Sequence, residues 1–348
     1  MKKIMFILVV SLLFVNKCYA AQNEIVIDAD SGRVLYGKNI DQKELIASTT
    51  KIMTALVVLN NTDINTEVTI GKEVNDAYGS AIYIKEKEKL LVKDLLYGLL
   101  LRSGNDAALS LAVYTAGSEE GFVKLMNDTA IYIGMKNTIF TNSHGLDEDS
   151  ENISTVYDMA ILMQEAMKNK TFRKIISTRK YELKTNFNTY IWHNKNKLLE
   201  SYEFATGGKI GYTKRAKHTF VSSATKDNKN LIIATFKDDD QFNNHKYLYE
   251  KYFKLYKKYR LINKDNLKIK YDKNFKVYTL SNFDMLLSKS EKKKIKRTIT
   301  FYNNVKCKDS CNLGKIEISL DGKVYKTLNI YAEKQKESKT KKFFNIFS

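Results

Sequence analysis

Apolar positions along the chain recur in two periods, and these divide it into elements. Glu24–Ile27 and Arg33–Tyr36 are short apolar runs that predict two strands joined by a turn at Asp30-Ser31-Gly32. Helical spacing then predicts Ser48–Leu59, a strongly apolar Val92–Leu101, Asp106–Thr115, Phe122–Ile133, and Thr155–Met167 opened by a Ser154 cap. After mixed segments, strands are expected near Lys209–Tyr212, Thr219–Ser223 and Leu231–Phe236. A long helix over His245–Tyr259 follows, with Tyr249, Tyr252, Phe253 and Tyr256 at helical spacing. Strands at both ends with helices between them imply an α+β domain, its sheet built from both termini and a helical cluster inserted. Beyond Leu261 only short alternating segments remain: Leu267–Tyr271, Phe275–Leu280, Thr298–Tyr302, Ile316–Leu320 and Val324–Tyr331. Asp321-Gly322 between the last two suits a two-residue hairpin turn, so a small all-β domain is expected.

The two ends of the chain read differently. Lys2 and Lys3 precede an apolar run from Ile4 to Val15, and Cys18-Tyr19-Ala20 supplies small residues for cleavage after Ala20. The pattern is that of a secretory signal peptide, and the run is shorter than the roughly 20 apolar residues a membrane span needs. Lys17 fits lipid attachment at Cys18 poorly. The expected organisation is a signal peptide at 1–20, an α+β domain at 21–262, an all-β domain at 263–332, and a basic aromatic tail at 333–348. In the tail, lysines precede Phe343, Phe344 and Phe347, which one helical turn would gather on one side as an interfacial anchor for an anionic membrane.

Composition adds three points. With 348 residues and 43% hydrophobic content the chain can bury a large core. The net charge is +19, and residues 263–348 hold 21 basic against 9 acidic side chains. For an exported protein that basic half points to wall polymers or anionic lipid, and not to nucleic acid. Cleavage after Ala20 leaves Cys307 and Cys311, whose spacing allows a small disulfide loop or two free thiols and does not suit a zinc site.

Three short motifs carry candidate chemistry. In Ala47-Ser48-Thr49-Thr50-Lys51, Ser48 and Lys51 lie at i and i+3 and share one helix face. A serine hydroxyl needs a base to become a nucleophile, and a lysine with a lowered pKa can be that base. Ser103-Gly104-Asn105 breaks two apolar helices, with a hydroxyl to pass a proton and an amide to hold a substrate. Lys209-Ile210-Gly211-Tyr212-Thr213 opens a strand on which Lys209 and Thr213 could grip a carboxylate, while Gly211 permits close approach. Each motif alone is more often a cap, a loop or a solvated strand start.

Their order is specific: S-x-x-K, then S-x-N about 55 residues on, then K-x-G about 104 further, as in penicillin-recognising serine enzymes. With Ile52-Met53-Thr54-Ala55, Asp106-Ala107-Ala108 and Asn142-Ser143-His144-Gly145-Leu146-Asp147 added, the chain resembles the D-alanyl-D-alanine carboxypeptidases from Ile25 to about Leu261. These are the low-molecular-mass penicillin-binding proteins, and the basic β domain resembles their C-terminal domain. The resemblance implies a β-lactamase/transpeptidase-like catalytic domain. It also implies that Ser48 attacks the carbonyl between two terminal D-alanines, with Lys51 as base and Ser103 as proton relay. Asn105 would hold the peptide, Lys209 and Thr213 the terminal carboxylate, and the N–H groups of Ser48 and Tyr212 the oxyanion. The implied partners are peptidoglycan stem peptides and β-lactams, with no cofactor or metal, outside the cytoplasmic membrane.

The chain departs from the family at Ile210, where threonine is usual; Ile210→Thr is therefore expected to improve turnover. Three rivals share the scaffold: a β-lactamase, a peptidoglycan D,D-endopeptidase or transpeptidase, and a catalytically weak wall-binding module. No acid with the spacing of a β-lactamase's water activator stands out, and the second domain argues against that rival. His144 is expected to organise its loop; His193, His218 and His245 to be structural or exposed; and Trp192 to line the core or the cleft.

Overall fold

The computed structural model describes residues 21–335 apart from Asp265 and Asn304; the expected signal peptide and most of the tail lie outside the described residues. Five antiparallel strands form the main sheet, in the order Val34–Lys38, Asn23–Asp28, Lys229–Phe236, Lys217–Lys226, Ala205–Thr213. Both faces are covered. Ile25, Ile27, Val221, Ile232, Ala234 and Phe236 face the inserted helices. Val26, Phe220, Leu231 and Ile233 face a helix that follows the sheet. That is why the Asn23–Asp28 strand is buried at every position.

The inserted helices are α1 (Lys51–Asn61), α2 (Val92–Tyr97), α3 (Asn105–Ala116), α4 (Glu119–Ile133), α5 (Val156–Ala166) and α6 (Lys170–Ile176). α7 (Leu198–Ser201) leads into the edge strand, and α8 (Gln241–Leu255) covers the far face. A 3₁₀ turn at Ala47–Thr50 precedes α1, so Ser48 sits just ahead of the helix and not inside it. The apolar run read as one helix to Leu101 is interrupted: α2 ends at Tyr97, one π-type turn covers Gly98–Arg102, and Ser103 is left-handed at φ 66°. Thr155, and not Ser154, caps α5, its hydroxyl accepting from the Asp158 N–H at 3.1 Å. The mixed stretch before the edge strand contains a hairpin, Lys180–Lys184 with Thr189–His193, braced where Tyr97 stacks on Tyr181 with ring centres 3.7 Å apart.

Strand structure resumes earlier than the alternation indicates. α8 stops at Leu255, because Lys257–Ile262 is drawn into a strand pair with Phe283–Leu287. A four-stranded sheet follows in the order Phe275–Tyr278, Lys323–Lys334, Ser310–Leu320, Lys296–Phe301. Leu267–Tyr271 takes no strand pairing. Asp321 and Gly322 both have positive φ, as the expected hairpin requires. Cys307 and Cys311 are disulfide-bonded, with Cα atoms 5.4 Å apart. Buried Arg33 stitches the domains together, donating to the Leu286 carbonyl at 2.7 Å and pairing with Glu291.

Candidate active site

The sequence Ala-Ser-Thr-Thr-Lys ties its own turn. Thr49 and Thr50 donate their hydroxyls back to the Ile46 and Ala47 carbonyls at 2.6 and 2.8 Å, and Thr219 donates to Ile46 from the sheet at 3.0 Å. Ala47 is held at φ 47°, a costly conformation for a residue with a side chain. Gly145 packs directly against it: a Cβ there would lie 1.9 Å from the Ala47 oxygen. The turn leaves Ser48 half-buried while Lys51, three residues on, is fully buried.

Lys51 Nζ has three oxygen neighbours: Asn105 Oδ1 at 2.7 Å, the His144 carbonyl at 2.6 Å and Ser48 Oγ at 3.2 Å. The first two can only accept, so they take two of the amine's protons. Asn105 cannot be flipped, because its Nδ2 donates to the Tyr78 carbonyl at 2.6 Å. Burial, reinforced by the charges of Lys209 and Lys195, holds the Lys51 ammonium well below its ordinary pKa. A neutral amine that donates to Asn105 and His144 turns its lone pair to the remaining neighbour, Ser48.

The left-handed turn at Ser103 aims its hydroxyl at the edge strand, where Lys209 Nζ donates to Ser103 Oγ at 3.0 Å and to the Ile210 carbonyl at 2.7 Å. Lys209 is buried, and desolvation together with the Lys195 charge brings its ammonium down to about 7. Lys195 is half-buried beside them, donating to Ser80 Oγ at 3.2 Å. Among the described residues, none of Lys51, Lys195 and Lys209 has a carboxylate within ion-pair distance. The cleft therefore carries unneutralised positive charge suited to an anionic substrate end.

Five of the residues singled out in sequence thus come together as two hydrogen-bonded groups, Ser48–Lys51–Asn105 and Ser103–Lys209, near enough for the Lys209 charge to act on Lys51. Gly211 brings the edge strand against the nucleophile's turn: a Cβ there would lie 2.8 Å from the Ser48 nitrogen, so the Ser48 backbone N–H meets the strand next to Tyr212. The Tyr212 side chain is 56% exposed, which leaves only its backbone for a role inside. Thr213 is placed differently. Its hydroxyl donates to Asp147 at 2.6 Å and accepts from the Ala216 N–H at 2.9 Å, so it ties the 147–151 loop to the strand instead of lying free for a carboxylate.

Ile210 alternates away from Lys209 and Gly211, sits opposite Phe220, and packs with the apolar cluster under α8. This packing argues against the expected gain from threonine, which would give it up. Ile210→Thr should lower stability by about 1 kcal/mol in a denaturant melt and leave turnover no higher than before.

Lys195, the His144 carbonyl and the carboxylates of Asp106 and Asp147 carry roles that no residue pattern announced. Buried Asp106 accepts from the backbone N–H groups of Ile82, Tyr83 and Ile84, with Tyr83 at 2.7 Å, and fixes the loop that Asn105 and Lys195 also grip. Asp147 ties the opposite loop to the strand: its carboxylate accepts from the Thr213 hydroxyl and its backbone carbonyl from the Arg215 guanidinium. The His144 ring organises its loop by accepting from the Leu146 N–H at 3.1 Å; burial, with the Lys51 charge, holds it neutral with a pKa of about 3. His245 is buried with both ring nitrogens bonded, to Ser222 and Thr235. Trp192 is buried in the aromatic stack of the hairpin.

A strained turn that presents a serine to a buried amine suits serine acyl transfer. Residues 15–240 match the D-alanyl-D-alanine carboxypeptidase family, and the chain belongs to it; residues 250–338 match the C-terminal domain of penicillin-binding protein 5. The chain is 37% identical to the D-alanyl-D-alanine carboxypeptidase DacF of Bacillus subtilis over 224 residues, covering 63% of this chain and 57% of that protein. It is 35% identical to DacB2 of Mycobacterium tuberculosis over 215 residues, 62% of this chain and 74% of that one. Penicillin binding protein 5 of Haemophilus influenzae superposes with a TM-score of 0.76 at 27% identity, over 90% of this chain and 97% of that one.

Proposed function

We propose that the chain is a serine D-alanyl-D-alanine carboxypeptidase, a reading carried by the three-oxygen environment of the Lys51 amine. Ser48 Oγ attacks the carbonyl carbon between the two terminal D-alanines as its proton passes to Lys51. The N–H groups of Ser48 and Tyr212 hold the oxyanion. As the C–N bond breaks, the departing amine takes a proton from Lys51, relayed through Ser103. Water then attacks the ester, Lys51 accepts its proton, and the shortened peptide acid leaves with Ser48 regenerated. The substrate's terminal carboxylate rests against the cationic group of Lys209 and Lys195, neither of which has a carboxylate within ion-pair distance among the described residues. Asn105 lies within reach of the peptide as well as of Lys51. A β-lactam presents the same carboxylate and an acylating carbonyl, so it would be trapped at the ester.

The same arrangement predicts a pH profile. Lys51 must be neutral and Lys209 charged. Lys209, at about 7 in the free enzyme, loses its proton as pH rises, so kcat/KM should fall above neutrality, chiefly through KM. Lys209→Arg should carry that alkaline limb upward, because arginine stays charged. An alkaline limb that Lys209→Arg leaves in place would remove Lys209 from carboxylate binding.

The N-terminal pattern of lysines, an apolar run and small residues supports export, and the substrate requires it. The basic aromatic tail supports attachment at the outer face of an anionic membrane. Together they support action on peptidoglycan outside the cytoplasm.

A further inference from the structure

The Lys296–Phe301 strand is one of the two edges of the second domain's four-stranded sheet, and all six of its residues are exposed. A free edge with exposed apolar side chains is a liability unless something covers it. One row along it is Arg297, Ile299 and Phe301, opposite Ile318, Ile316 and Gly314. Ile318 and Ile316 are core residues, so this row forms the open rim of that core. Ile299, Phe301 and the following Tyr302 are 40%, 45% and 46% exposed. The other row is Lys296, Thr298 and Thr300.

Immediately before the strand, Lys292, Lys293 and Lys294 complete a run of five basic side chains in six residues. Lys292 lies over the Tyr259 ring at 4.4 Å, and Lys294 is 3.3 Å from Asp321. Glu291, the acid that begins this run, is taken by Arg33. Among the described residues Lys293, Lys296 and Arg297 have no carboxylate within ion-pair distance. The imbalance belongs to this domain: residues 257–335 hold 20 basic and 8 acidic side chains, whereas 21–256 are nearly balanced.

We propose that this edge is a membrane-docking surface, in which Lys293, Lys296 and Arg297 meet anionic headgroups while Ile299, Phe301 and Tyr302 enter the interface. Charge complementarity alone would serve any polyanion. The adjoining apolar strip selects lipid, since a soluble polyanion offers nothing apolar to cover it, whereas aromatics beside lysines are how interfacial segments bind. The unpaired backbone groups of the strand remain satisfied there, because the headgroup layer is wet. The contact is separate from the tail and does not depend on the catalytic reading. With the tail it would hold the second domain at two points and fix the height and tilt of the catalytic cleft.

The test is partition of the full chain onto phosphatidylglycerol–phosphatidylcholine vesicles, against pure phosphatidylcholine and soluble poly(glycerol phosphate). Neutralising Lys293, Lys296 and Arg297 to glutamine should reduce partition onto the anionic vesicles on the order of 100-fold, from about 1 kcal/mol for each basic residue. Phe301→Ser and, separately, Tyr302→Ser should each weaken it several-fold, and this loss should persist in high salt. All three variants should melt like the parent and release D-alanine from a soluble peptide at the parent's rate. Replacing Phe343, Phe344 and Phe347 by serine reads the tail separately and should add to the edge variants. Partition unchanged by the glutamine variant overturns the proposal. So does poly(glycerol phosphate) binding as tight as vesicle binding with no effect of Phe301→Ser or Tyr302→Ser, an outcome that assigns the edge to an anionic polymer.

Discussion

Replacing Ser48 by alanine should end both D-alanine release and covalent capture of a β-lactam, while the protein still folds. Ser48 Oγ lies 3.2 Å from the buried Lys51 amine, whose other two partners are an amide oxygen and a carbonyl, so neither of them can stand in as a nucleophile. Removing a nucleophile of this kind lowers kcat by roughly 10⁴- to 10⁶-fold. The fold should survive because the strained turn is tied by Thr49, Thr50 and Thr219, and not by the serine side chain. In the parent, one opened β-lactam should add its mass to the tryptic peptide containing Ser48. A modified peptide elsewhere in the chain, or labelling that persists in Ser48→Ala, would remove Ser48 from the mechanism.

Lys51→Met should have the second-largest effect, of about 10³-fold on acylation. Methionine keeps the length of the side chain and removes the base. It also removes both donors, so Asn105 Oδ1 and the His144 carbonyl lose a shared partner in a buried place. Some loss of stability is therefore expected along with the loss of rate. Asn105→Ala separates the two effects. It breaks one of the same hydrogen bonds but leaves the amine next to Ser48, so acylation should fall much less than in Lys51→Met. Equal losses in the two variants would mean that Lys51 acts by holding the cleft together and not as a base. Burial drives the Lys51 pKa down, which favours the neutral amine that a base must be.

What could be read from the sequence follows from where the information lies. Ser48, Lys51, Ser103, Asn105 and Lys209 are chemical side chains in a fixed order, and the structure brings them together. The main sheet was legible because its strands are apolar on both faces, and the inserted helices because their apolar stripes are long. Atoms without side-chain identity were hidden. The carbonyl that holds Lys51 belongs to His144, whose ring points to a role of its own, and nothing in its residue type announces the carbonyl. Lys195 has no motif, since only the hairpin before it carries it to Ser80. The interruption at Gly98–Arg102 was invisible because an uninterrupted apolar run fits one straight helix equally well. The side to which Ile210 points required the strand register, and with it the prediction for threonine reversed. Thr213 shows the converse: its type suited a carboxylate, but the carboxylate it meets is the protein's own Asp147. The end of α8 was misplaced because Tyr256 keeps helical spacing while its successors are claimed by a strand partner more than twenty residues away.

The most direct measurement is incubation of the protein with a peptide ending in D-alanyl-D-alanine, following both products over time. The account predicts one free D-alanine for each peptide shortened by one residue, through an ester on Ser48 that water resolves. It is contradicted if no D-alanine appears, or if each D-alanine released is matched by a peptide joined to an added amine in place of the shortened acid.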